Sequence, residues 1–180
     1  MKFIARLMLL VVAAVPVMAD DEVGLLELLN YHEYSPSLMS SGQPTREQFS
    51  AISAAGVETV INLAPTAAPD ALADEAELVA SLNMGYAHIP VDWEAPPLAD
   101  VERFLEVMQV NAGRRVLVHC YANARASAFV FIHRVLRAGQ DVDDARATLI
   151  SIWDMNPGYE LHTVAPWQAL IDTALTSQDK

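Results

Sequence analysis

The sequence predicts an α/β fold, a mostly parallel central sheet with helices on both faces, and three observations carry that prediction. Short apolar, β-branched runs begin at Leu38, Val57, Tyr86 and Val116. The segments between them carry helix start and stop signals. Strands and helices therefore alternate along the chain, the pattern of parallel strands joined by helical crossovers.

Each element follows from local chemistry. Lys2 and Arg6 precede an apolar run over 7–17, and Val17-Met18-Ala19 offers the small residues a signal peptidase accepts. This predicts a signal peptide at 1–19 and an exported protein, periplasmic or secreted. The run is too short to span a bilayer comfortably, so no stable membrane insertion is expected after cleavage. Residues 20–180 are expected to form a single domain. Losing Lys2 and Arg6 takes the formal charge from −12 to −14, a balance that repels nucleic acid and anionic lipid. With one cysteine in 180 residues no internal disulfide can form, and a lone thiol kept in an oxidising compartment suggests chemical use.

Residues 20–37, with Leu25, Leu26, Leu28, Leu29, Tyr31 and Tyr34 before Pro36, read as a packing arm. A short strand from Leu38 ends in the turn Gly42-Gln43-Pro44. Thr45-Arg46-Glu47-Gln48 is a capping box opening a helix through Ala55, which Gly56 ends. The run 57–63 is a strand, 70–82 a helix with an acidic start, and 86–91 a strand. The prolines of Asp92-Trp93-Glu94-Ala95-Pro96-Pro97 mark a loop; 100–112 is amphipathic, with Val101, Phe104, Leu105 and Met108 on one face. Val116-Leu117-Val118-His119 is a buried strand, and the apolar segment after Arg125 is a helix closed by Gly139. Asp141 caps a further helix through Ile152, Asn156-Pro157-Gly158 breaks the chain, and a last helix spans 163–175 with Pro166 in its first turn.

The only cysteine, Cys120, thus sits at a strand end in a loop that opens a helix. Such a loop gathers backbone N–H groups and the positive helix end at one spot, which favours a bound oxyanion and a thiolate. Arg125 adds a permanent charge whose planar fork matches two oxyanion oxygens.

The order His119-Cys120, four residues, Arg125 and then Ser127 resembles the phosphate loop of the cysteine-dependent protein tyrosine and dual-specificity phosphatases. The stretch Ile89 to Pro97 resembles their acid-bearing loop, and Ser41-Gly42-Gln43-Pro44 with Val60-Ile61-Asn62-Leu63 looks like the start of a bacterial branch of small phosphatase-like proteins. The resemblance implies a phosphatase-like fold over 38–175 and hydrolysis of a phosphorylated protein or small phosphate ester through a phosphocysteine, with neither metal nor cofactor. It makes Cys120 the nucleophile and Arg125 the anion clamp. Tyr121, Ala122, Asn123, Ala124, Arg125 and Ser127 become the phosphate-binding loop, Asp92 or Glu94 the general acid with Asp92 favoured, and His119 the residue that braces the loop from behind.

The chain departs from the family pattern. The loop has four residues where the family has five, and no glycine; Ala126 intervenes before Ser127; the usual acid position falls on Trp93; and Ala64 stands where a basic residue is expected. Rhodanese-type sulfurtransferases also place four residues after the cysteine, so a sulfurtransferase is the alternative enzyme, and a catalytically silent phosphate- or sulfate-binding module is a third reading. His32, His88, His133 and His162 lack metal-type spacing. Glu102, Glu106 and the group Asp74, Glu75 and Glu77 are expected on solvated helix faces, and Trp153 and Trp167 in the core.

Overall fold

The structure, a computed structural model, describes residues 24–177; the expected signal peptide lies outside them. Five strands form one sheet: β1 (His32–Ser35), β2 (Leu38–Ser41), β3 (Thr59–Asn62), β4 (Gly85–His88) and β5 (Val116–His119). Their order across the sheet is β1-β2-β5-β3-β4. Only β1 runs antiparallel to its neighbour; the other pairings are parallel. The helices are α1 (Gln48–Ala54), α2 (Glu75–Ser81), α3 (Leu98–Val110), α4 (Ala124–Leu136), α5 (Val142–Trp153) and α6 (Ala165–Thr176), with a 3₁₀ turn at Leu161–Thr163 before the last.

The sheet divides the core because side chains alternate across a strand. Met39, Val60 and Leu117 point to one face, where Phe49 and Ile52 of α1 and Val79 of α2 cover them. Ile61, Val116 and Val118 point to the other, against Phe104 of α3, Phe129 of α4, Trp153 of α5 and Trp167 of α6. Trp153 and Trp167 are fully buried, as expected. The amphipathic face read in α3 is buried at Val101, Phe104, Leu105 and Met108. Asp141 caps α5 by accepting from the N–H groups of Asp143 and Asp144.

Three expectations change. The segment read as a packing arm contains β1, which pairs with β2 through His32–Ser40 and Glu33–Met39, while Leu25 and Leu28 pack beneath the sheet. The capping box forms only in part: the Gln48 side chain accepts from the Thr45 N–H at 2.9 Å, and α1 begins at Gln48 itself. The helix expected over 70–82 starts at Glu75: Asp70 takes a left-handed φ of 61°, which excludes it from a helix, and the chain turns at 73–74 before the helix begins.

β5 lies between β2 and β3, although both precede it in the chain. The helices after β2 and β3 cover one face and those after β4 and β5 the other, so the connections diverge around the end of β5. In open parallel sheets that divergence leaves a crevice at the carboxyl ends of the strands.

Candidate active site

Cys120 follows β5 directly and is buried, its N–H donating to Ser41 at 3.3 Å. The loop after it is stitched down from behind. Gln43 N–H donates to the Tyr121 carbonyl at 3.0 Å, which turns the N–H of the same peptide unit, that of Ala122, to the opposite side. Asn30 Nδ2 donates to the Ala122 carbonyl at 3.1 Å and to Asn156 at 3.1 Å, and Asn123 Nδ2 donates back to the Asn30 carbonyl at 2.6 Å. Gly42 lies so close that an added Cβ would stand 2.8 Å from the Tyr121 carbonyl oxygen. Asn123 adopts a φ of 68° just before α4; asparagine tolerates the left-handed region better than other non-glycine residues, so the loop turns without a glycine.

Ser127 N–H donates to the Asn123 carbonyl at 2.9 Å, which leaves the first N–H groups of α4 without intrahelical partners and facing the loop end. Arg125, from the first turn of α4, donates through Nε to the Val91 carbonyl at 3.1 Å. That bond fixes the guanidinium and leaves its terminal nitrogens for an anion. Burial lowers the Arg125 pKa, while the charges of Cys120 and Asp92 and a hydrogen bond with Cys120 oppose the shift. The guanidinium also lies over the Trp93 ring, 5.0 Å from its centroid, a cation–π contact that holds it in place.

Cys120, Tyr121, Ala122, Ala124 and Arg125 line a cavity of about 690 Å³. The other expected site residues lie elsewhere. Asn123 is buried behind the loop, and the Ser127 hydroxyl donates to the Ala124 carbonyl at 3.1 Å inside α4. Asp92 and Glu94 are exposed; Asp92 Oδ1 accepts from the N–H groups of Glu94 and Ala95 at 2.7 and 3.1 Å, turning the loop. Trp93, between them, faces the cavity. It stacks on Trp153 at 5.8 Å and its carbonyl accepts from Trp167 Nε1 at 3.0 Å, so this loop is anchored in the core.

One expectation is overturned: Glu75 does not lie on a solvated face. It is 2% exposed, and its carboxylate accepts from His119 Nε2 (3.0 Å), Asn62 Nδ2 (2.8 Å), Tyr86 Oη (3.0 Å) and Gln43 Nε2 (2.6 Å). Burial alone would raise its pKa. The hydrogen bond and charge of His119, with the bonds from Gln43 and Tyr86, outweigh burial and hold it at about 2. An ionised Glu75 accepts only, so His119 carries its proton on Nε2. His119 is fully buried directly before Cys120, and through it Glu75 reaches the loop from behind. No local signal marks Glu75, because its donors come from β3, β4, the end of β5 and the turn after β2. Leu29, Met155 and Tyr159, which wall the cavity mouth, were also not legible as site residues; the break at Asn156-Pro157-Gly158 was the one hint that a loop stood there.

Known proteins share this fold. The family profile described as DSP-PTPase phosphatase fused to NAD+ kinase matches residues 26–158. A candidate phosphatase (DUF442) of Shewanella putrefaciens CN-32 is 38% identical, with 86% of this chain and 94% of that chain covered at a TM-score of 0.76. P. aeruginosa TpbA is similar in fold at 18% identity and a TM-score of 0.62, covering 84% of this chain and 92% of that one. The beta-lactamase hydrolase-like protein of Xylella fastidiosa (strain Temecula1) is 29% identical over 113 residues, 61% of this chain. The matched part spans about a quarter of that relative, 26% of its length.

Proposed function

We propose a function from one premise: this chain belongs to the family described as DSP-PTPase phosphatase fused to NAD+ kinase. It is a cysteine-dependent phosphatase that hydrolyses phosphate monoesters of the aryl type. The observation that carries this reading is the joint placement of Cys120 and the fixed guanidinium of Arg125 at the floor of one cavity, at the start of α4.

The Cys120 thiolate attacks phosphorus; the S–P bond forms as the ester P–O bond breaks, and the electron pair leaves on the ester oxygen as that oxygen takes a proton from a carboxyl group of the loop around Trp93. Arg125 and the N–H groups at the start of α4 hold the charge on the equatorial oxygens, an environment arranged before the reaction begins. Water then attacks the phosphocysteine, a carboxylate takes its proton, and the S–P bond breaks to return the thiolate. Asp92 is the better placed carboxylate. Its charge acts on Arg125, and both of its loop bonds go to Oδ1. Because Trp93 rather than an acid faces the cavity, the favoured substrates are those whose leaving oxygen needs little help from a proton. Aryl esters meet that condition, and the phosphotyrosine held in one structure of P. aeruginosa TpbA is an ester of this kind.

A sulfurtransferase is the second reading, favoured by the four-residue spacing from Cys120 to Arg125 and by a cavity lining with no carboxylate. Measuring nitrophenol release from 4-nitrophenyl phosphate beside thiocyanate formation from thiosulfate and cyanide separates the two. The phosphatase reading predicts ester turnover that vanishes in Cys120→Ser. Thiocyanate formation without ester turnover would transfer the assignment to sulfur, and anion binding with neither activity would leave a silent binding module.

A further inference from the structure

The cavity is far larger than a phosphate. At about 690 Å³ it falls in the range that encloses drug-sized ligands, so most of it serves the body of whatever carries the anion. That remainder is mostly apolar, with Asn30 and Asn156 its polar exceptions beside the two tyrosines. Leu29, from the segment before β1, and Met155 and Tyr159, from the loop after α5, converge on the mouth and are 51%, 49% and 55% exposed. Large apolar side chains gathered at an opening mark a binding surface more often than a chance exposure.

The charge pattern is equally selective. Among the lining residues Arg125 is the sole one with a formal charge, so there is no second cation for a second phosphate. A nucleotide, a pyrophosphate or an acidic peptide would have to leave charges unpaired against an apolar wall. The chain's net charge of −12 opposes their approach as well.

We infer that the substrate is a singly phosphorylated ester whose body is otherwise uncharged and apolar, aromatic next to the ester oxygen and extending along the wall of Leu29, Met155 and Tyr159. This rests on the cysteine-phosphatase reading above.

The test is a series of phenyl phosphates carrying ethyl, butyl and hexyl chains at the 4-position, in which the phenol leaving group keeps nearly the same acidity. Each methylene that enters the cavity raises kcat/KM by up to about fourfold, the equivalent of about 0.8 kcal/mol, while ATP and pyrophosphate are turned over less well than phenyl phosphate. Met155→Ser and Tyr159→Ser, both at exposed positions, flatten the dependence on chain length. A flat series in the parent protein, with turnover of phenyl phosphate that depends on Cys120, overturns this inference alone and gives the wall to a protein surface, a second copy of this chain included. Calorimetry on Cys120→Ser reads the same series without chemistry. Binding that tightens with chain length in a protein whose parent form turns over no ester would overturn the phosphatase reading and leave the ligand class standing.

Discussion

Replacing Glu75 with alanine removes the acceptor on which four side chains converge. His119 Nε2, Asn62 Nδ2, Tyr86 Oη and Gln43 Nε2 all lie within 3.0 Å of its carboxylate, and His119 and Glu75 are fully or almost fully buried. The buried His119 Nε2–H, left without its acceptor, costs about 1–3 kcal/mol, because it keeps its desolvation penalty without compensation. Each further buried donor left unpaired adds about 1–3 kcal/mol unless water enters the space. We therefore expect Glu75→Ala to lose at least about 3 kcal/mol, a large share of the 5–15 kcal/mol that holds a typical domain together. Guanidinium unfolding at pH 7 measures this directly, and by heat the same loss lowers Tm by roughly 6–20 °C for a protein of this size. Glu77→Ala, an exposed position on the same helix, is the control and should stay within about 0.5 kcal/mol of the parent. A loss below about 1 kcal/mol in Glu75→Ala would show instead that the four donors find water or other partners without cost.

The same carboxylate sets an acid limit on stability. Glu75 is held at about 2 against an ordinary 4.5, so its contribution is complete above about pH 4.5 and is lost as pH falls towards 2. That loss amounts to about 3 kcal/mol; denaturation midpoints between pH 7 and pH 3 should fall more steeply in the parent than in Glu75→Gln, and parallel slopes would contradict the assignment. Arg125→Lys should lower kcat for 4-nitrophenyl phosphate by roughly 10²-fold or more, because a point charge replaces a fork aligned by Val91 and Trp93; a loss under threefold would remove Arg125 from the transition state. Asp92→Asn should slow phenyl phosphate at least about tenfold more than 4-nitrophenyl phosphate, whose leaving group needs less protonation, whereas Glu94→Gln should treat both esters as the parent does. A selective defect in Glu94→Gln instead would move the acid role to that residue.

Local chemistry made the framework of this protein legible. The β-branched run before Cys120 and the long apolar segment after Arg125 are β5 and α4, and the face of Val101, Phe104, Leu105 and Met108 is the buried face of α3. These elements announce themselves because burial imposes a period on the sequence. Non-local chemistry was not legible. β1 has its partner in β2 but offers only four residues, none of them aliphatic and all close to Pro36, too few for an alternation to stand out. Glu75 looks like any acidic residue in a first helical turn, and its burial depends on donors 11, 13, 32 and 44 residues away. Trp93 was visible as an aromatic residue in the place of an acid. Only its packing against Trp153 and Trp167 shows that the loop is held with that ring beneath Arg125.

The proposed function requires above all that sulfur be the nucleophile. Rapid mixing with 4-nitrophenyl phosphate, an acid quench and mass spectrometry of the peptide that contains Cys120 test this directly. A cysteine phosphatase carries a phosphoryl group on the Cys120 sulfur within the first turnover, absent in Cys120→Ser. Ester hydrolysis at undiminished rate in Cys120→Ser, with no phosphoryl adduct on the parent peptide, would contradict the proposed function.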